Sequence, residues 1–200
     1  EDAVDNSSTC ECPYCEGCVT DEAECISGWT VVDDCSLSCE GVEYVSDPNP
    51  WSSWLDTDHE ARTSAEYIQE NIGKASRNAG LHVHIGIPRG FYNHAFSMMA
   101  ANVLMEHQER IAGLVPRYRL DNGYSEPCDH VTENSKYYWM TVNSGCSKPH
   151  TAEVRVFASE QPVAEVFDIL APAVADIGAV ADALSLHFGL LALLDNAELE

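Results

Sequence analysis

Two stretches of this chain alternate strictly between apolar and functional side chains, and no other feature limits the fold as much. In "AGLHVHIGIP", residues 79–88, Leu81, Val83, Ile85 and Ile87 alternate with His82, His84 and Gly86. A period of two is that of a β-strand with one face against a core. Both imidazoles then project to one side, roughly 6.5–7 Å apart along the strand. In "HTAEVRVF", residues 150–157, Ala152, Val154 and Val156 face one way while Glu153 and Arg155 face the other. "KYYWMTVN" sets Tyr138, Met140 and Val142 against Tyr137, Trp139, Thr141 and Asn143, and in "GVEYVS" Val42 and Tyr44 oppose Glu43. The rows opposite the apolar ones hold His, His, Glu, Arg and Asn, where a plain solvated face would carry Thr, Ser, Lys and Glu. Such a set suits a divalent cation held by oxygen and imidazole, with a guanidinium nearby for phosphate or carboxylate oxygens. Magnesium takes one or two protein carboxylates plus phosphate oxygens, so a sparse protein shell fits nucleotide chemistry.

Helical patterns separate the strands. Ala65, Ile68, Ile72, Ala75 and Ala79 form one stripe, which predicts a helix over 63–78 ended by Gly80. A second helix is expected over 93–113, with Pro116 beyond it and an irregular loop over 119–134. Strands are expected at 29–32, 42–45, 136–143 and 151–157, and Pro48 and Pro50 close the second, because proline lacks the N–H a ladder needs. Pro162 suits the first turn of a long C-terminal helical region, which Pro172 is expected to kink or split. The order predicts an α+β fold: a curved, mostly antiparallel sheet with helices packed on one face and polar groups on the other. Residues 1–28 are polar and without hydrophobic period. They read as a small Cys-rich module preceding a core over 29–200.

Asp and Glu total 33 against 10 basic residues, of which three (Lys74, Lys136, Lys148) are lysine. Phosphate backbones would be repelled, which argues against nucleic-acid binding. A lysine-poor acidic surface on an ordinary core is what high-salt environments favour, because salt screens its self-repulsion. The apolar run from Val163 to Leu194 is interrupted by Glu165, Asp168, Pro172, Asp176 and Asp182, so packed helices rather than a membrane span are expected. The chain starts at Glu1 with neither a methionine nor a signal-like segment, which fits a processed, trimmed or partial reading frame; the setting expected is cytoplasmic, in a virus-encoded protein of a halophilic host. Four of the nine cysteines, Cys10, Cys12, Cys15 and Cys18, fall in "CECPYCEGC", which offers the C-x2-C spacing of a zinc knuckle twice in overlap. Cys35 or Cys39 would complete such a zinc site. Disulfides and free thiols are the competing readings, and the connectivity is not fixed by spacing.

"GLHVHIG" resembles the His-x-His strand of the glutamine synthetase and glutamate–cysteine ligase superfamily, and "TAEVRVF" resembles its later Glu-x-Arg strand. The chain is most similar to the amidoligase family within that superfamily. There a segment like "WTVVDDCSLSCEGVEYVSDP" precedes the histidine strand, and segments like "VPRYRLDNGYSEP" and "YYWMTVN" lead into Glu-x-Arg. The resemblance runs from about Trp29 to about Leu194. It implies a glutamine synthetase-like catalytic fold and ATP-dependent joining of a small-molecule or peptide carboxylate to an amine, through an acyl phosphate with Mg²⁺ (or Mn²⁺) on the phosphates. By the same resemblance Glu43, His82 and Glu153 are metal ligands, and His82 also contacts nucleotide phosphate. His84 faces nucleotide or substrate, Arg155 stabilises the transferring phosphoryl group, and Arg117 or Arg119 supplies a further phosphate or carboxylate contact. The family opens with a Glu-x-Glu strand that has no counterpart before Trp29, since Glu11, Glu16, Glu22 and Glu24 lack strand character. That strand is expected upstream of Glu1; the alternative is a copy that has lost it and cannot bind both metals. Two other readings stand beside the ligase: a non-catalytic relative serving a virus or mobile element, and a zinc-dependent hydrolase built on His82, His84 and Glu153.

Overall fold

Strands β1 (Trp29–Asp33) and β2 (Val42–Ser46) pair antiparallel, with Val31 opposite Tyr44 and Val32 opposite Glu43. The structure, a computed structural model, describes residues 25–33, 42–72, 79–86, 93–121, 123, 125–144 and 150–197, with backbone alone at Asp33, Asn93 and 186–197. The chain divides into two compact units, residues 1–79 and 80–200. The compositional change near residue 28 therefore falls inside the first unit.

In the first unit the hairpin is followed by helices α1 (Trp51–Leu55) and α2 (Glu60–Tyr67). Helix α2 starts three residues before the apolar stripe suggests, because His59 Nδ1 accepts from the Ala61 N–H and caps it. The same helical path continues as one π turn, Ile68–Ile72. Trp29 stacks edge-on against Trp54, with ring centroids 6.4 Å apart, and Arg62 donates to the Trp54 carbonyl and to Glu66.

The second unit is built on a three-stranded antiparallel sheet of order β3-β5-β4: β3 Gly80–Ile85, β4 Met140–Asn143 and β5 Thr151–Ala158. The fold is thus mixed α+β with small antiparallel sheets, but its strands form two sheets rather than one. Strands β1 and β2 are close in sequence and pair with each other, the arrangement with the lower loop-closure cost. Helix α3 (Asn93–Glu106) packs across β4 and β5, and α6 (Val163–Ala197) packs against α3. The core contains Ala100, Ala101 and Leu104 of α3, Met140 and Val142 of β4, Val154 and Val156 of β5, and Val166 and Leu170 of α6, all essentially inaccessible. Each of the larger side chains contributes about 1.5–3 kcal/mol by its burial.

Other elements differ from expectation as well, and β4 begins at Met140, four residues later than the alternation suggests. The predicted helix over 93–113 is two helices, α3 and α4 (Gln108–Ala112), joined at His107, whose Nε2 lies 2.8 Å from Asp176 Oδ2 on α6. The expected loop after Pro116 begins with a helical turn, α5 (Arg117–Leu120). Helix α6 is not split at Pro172. The buried stripe Val163, Val166, Leu170, Ala173 and Ile177 continues on both sides of that proline, and Pro172 itself is exposed, so packing outweighs the missing hydrogen bond. Residues 132–134 cover the outer edge of β4, through Val142 N–H to Thr132 O (2.8 Å) and Asn134 N–H to Val142 O (2.9 Å). Among the described residues, no helix is long and apolar enough to cross a membrane.

Candidate functional site

The register of the sheet turns the alternation of its strands into one polar face. His84 pairs with Glu153 and Glu153 pairs with Thr141, so the three stand in one row across β3, β5 and β4. Two residues along, Asn143 pairs with Thr151. In the other direction the register slips: Val83 opposes Val154 while Leu81 opposes Phe157, which leaves Arg155 and Val156 together opposite His82. This is a β-bulge in β5, a device that re-aims a side chain at a sheet site.

Glu153 is the centre of the cluster. Its Oε1 lies 3.2 Å from His82 Nδ1, 2.8 Å from Arg155 Nη1 and 3.9 Å from His84 Nε2, while its Oε2 accepts from Asn143 Nδ2 at 2.8 Å. The Glu153 side chain is 6% exposed, against 42% for His84. Water therefore reaches the histidine side of the cluster rather than the carboxylate. Burial alone would raise the Glu153 carboxyl. The His82 hydrogen bond and the charges of His84, His82 and Arg155 outweigh it and hold the carboxyl down to about 2. His84 Nδ1 is fixed by the Thr151 hydroxyl at 2.9 Å.

Arg119 and Arg117 separate cleanly. Arg119 is buried and points into the unit. Its Nη2 donates to the Arg155 carbonyl at 2.9 Å, and its Nε lies 3.4 Å from the Val156 carbonyl. Burial lowers its pKa, and the like charge of Arg155 adds to that. Arg117 is almost fully exposed and pairs with Asp121 on its own turn at 3.5 Å. Of the residues singled out in the sequence, His82, His84, Glu153 and Arg155 are brought together. Arg119 stands behind them on the backbone of β5 rather than offering a free guanidinium. Glu43 is exposed on β2 in the first unit and is not part of the described cluster. Cys10, Cys12, Cys15, Cys18, Cys35 and Cys39 lie outside the described residues, while Cys25 and Cys128 are free thiols.

Asn143 belongs to the polar rows legible in the sequence, without an assigned role there, whereas Thr151 has no place in them. Their signal was present in the strand register, two positions from Thr141 and Glu153 on the same face, but a register is fixed only once strands are paired.

Among the described residues, the cluster offers one pair of donors at the spacing of neighbouring cation ligands. Two ligands of an octahedral ion with bonds of about 2.1 Å stand about 3 Å apart; His82 Nδ1 and Glu153 Oε1 lie 3.2 Å apart, and ligation by both would replace the hydrogen bond that joins them. Among the described residues, no group of three or more His, Cys, Asp or Glu is arranged to hold an ion. Such an ion would therefore take its remaining ligands from phosphate and water, as magnesium does in nucleotide sites. Set against models of known protein families and against curated protein sequences, the chain matches none of them.

Proposed function

We propose that this protein is an ATP-dependent carboxylate–amine ligase of the amidoligase type, with a glutamine synthetase-like catalytic layer in its second unit. The observation that carries the reading is the pairing of β3 with β5. It gathers two imidazoles and one guanidinium around the Glu153 carboxylate on a face that opens at His84.

In this reading an oxygen of the substrate carboxylate attacks the γ-phosphorus of ATP, ADP leaves, and an acyl phosphate forms. An amine then attacks the acyl carbon, inorganic phosphate departs with that oxygen, and the amine gives up one proton. Mg²⁺ or Mn²⁺, held by Glu153 and His82, would supply charge neutralisation at the phosphates. The protein's own contribution is positional: phosphoryl transfer is catalysed mainly by cations and donors fixed near the equatorial oxygens. Arg155 is fixed by its hydrogen bond to Glu153, and His84 by Thr151, so neither needs to reorganise when charge moves. Asn143 keeps Glu153 oriented from its other oxygen. The substrates are a small-molecule or peptide carboxylate and an amine. A structural zinc on the N-terminal cysteines and a salt-rich cytoplasmic setting, in a virus or its host, complete the proposal.

The test is phosphate release from ATP in concentrated salt with MgCl₂ or MnCl₂ and a panel of amino-acid carboxylates and amines. Release is expected only with the cation and both substrates, and Glu153→Gln is expected to lower it by about 10²-fold or more. Turnover that survives Glu153→Gln, or that needs no nucleotide, overturns the proposal.

A further inference from the structure

The bulge of β5 interrupts its pairing with β3 beside Arg155, and a buried arginine, Arg119, lies there. Arg119 comes from a separate element, the helical turn α5, and is 3% exposed. Its guanidinium lies against the carbonyls of Arg155 and Val156, the two residues that share His82 as their opposite. Room for it is made by Gly80: a Cβ there would stand 2.4 Å from Arg119 Nη2 and 3.3 Å from His82 Nε2. A contact of 2.4 Å cannot exist without displacement, so glycine at 80 and arginine at 119 are fitted to each other. The Arg119 carbonyl accepts in turn from the buried Ser125 hydroxyl, which anchors the turn that carries it.

We propose that Arg119 is a positioning residue, which holds the β5 bulge by its two main-chain carbonyls and so sets the Arg155 guanidinium against Glu153. A planar fork of fixed donors suits two carbonyls side by side, whereas a lysine ammonium serves as a single point. Arg119 thus acts on the site through the backbone of its neighbour and touches no substrate. Only the kinetic part of the test rests on the ligase reading; the spectroscopic part stands without it.

Nitrogen-15 NMR of the arginine side chains reads the proposal directly. In the unmodified protein the Arg119 guanidinium protons are expected to exchange slowly with water and those of exposed Arg117 rapidly. Gly80→Ala, which displaces Arg119 without removing it, and Arg119→Lys, which keeps the charge, are both expected to speed rotation of the Arg155 guanidinium by about tenfold, the loss of roughly one hydrogen bond. In ligase turnover, Arg119→Lys is expected to lower kcat with little change in KM for ATP, and to add nothing in an Arg155→Lys background. The proposal is overturned if folded Gly80→Ala and Arg119→Lys leave Arg155 as hindered as before. It is equally overturned if Arg119 in the unmodified protein exchanges as fast as Arg117, a measurement that needs no variant to fold. Loss of the Arg155 signature in a protein without ligase activity would sink the ligase reading and leave the positioning role intact.

Discussion

Glu153→Gln should change the pH dependence of stability more than any other single substitution in the sheet. The folded carboxyl sits at about 2 against an ordinary 4.5. At about 1.4 kcal/mol for each tenfold change in proton affinity, that difference corresponds to about 3 kcal/mol. Because the folded value is depressed, the stabilisation is fully present above roughly pH 5 and is lost as the pH falls through about 2. The net charge of −23 complicates the absolute curve, since protonating other carboxylates relieves self-repulsion over the same range. Comparing the wild type with Glu153→Gln at each pH removes that contribution, because both proteins share it. Urea unfolding followed at the β5 amides by hydrogen exchange is the assay. The wild type should exceed the variant in stability at pH 6, and the gap should narrow by about 3 kcal/mol by pH 2, most of it below pH 4.5. Salt should change the gap little, since the carboxylate is buried. A gap that stays constant from pH 6 to pH 2 would refute the view that His82, His84 and Arg155 hold Glu153 ionised.

Other consequences are smaller but direct. Pro172→Ala should stabilise the second unit by about 1–3 kcal/mol, measured by thermal unfolding, because an exposed helix-interior proline lacks one hydrogen bond and crowds the preceding turn. Arg117→Ala should leave stability within about 0.5 kcal/mol, since its pair with Asp121 is solvent-exposed; a larger loss would contradict that placement. Trp139→Ala should destabilise by about 3–5 kcal/mol in the same experiment, because the residue is 2% exposed immediately before β4.

Much of the second unit can be read from the sequence, and the reason is local. Leu81 to Ile85 and Ala152 to Val156 carry their faces in a period of two, so the strands, the common side of His82 with His84, and that of Glu153 with Arg155 follow from residue order alone. Pairing is another matter. Nothing in either strand announces that β5 slips by one residue opposite His82, because a bulge is a property of two strands together. Arg119 illustrates the same limit: its residue type suits a phosphate contact, and only the fold shows the guanidinium taken up by main-chain carbonyls. Glu43 shares the alternating pattern of the others yet belongs to the β1–β2 hairpin, since a pattern of two specifies a strand and not its sheet. Pro172 misleads in the opposite direction. Its intrinsic cost of about 3 kcal/mol is overridden by the buried stripe that α6 lays on both sides of it.

Isotope transfer tests the ligase assignment most directly. Incubate the protein with ATP, MgCl₂, ammonium and a panel of amino acids carrying ¹⁸O in their carboxylates, then weigh the released phosphate by mass spectrometry. An acyl-phosphate mechanism requires one labelled oxygen in each phosphate formed with amide. Phosphate that carries no label, or the absence of any phosphate across the panel, contradicts it.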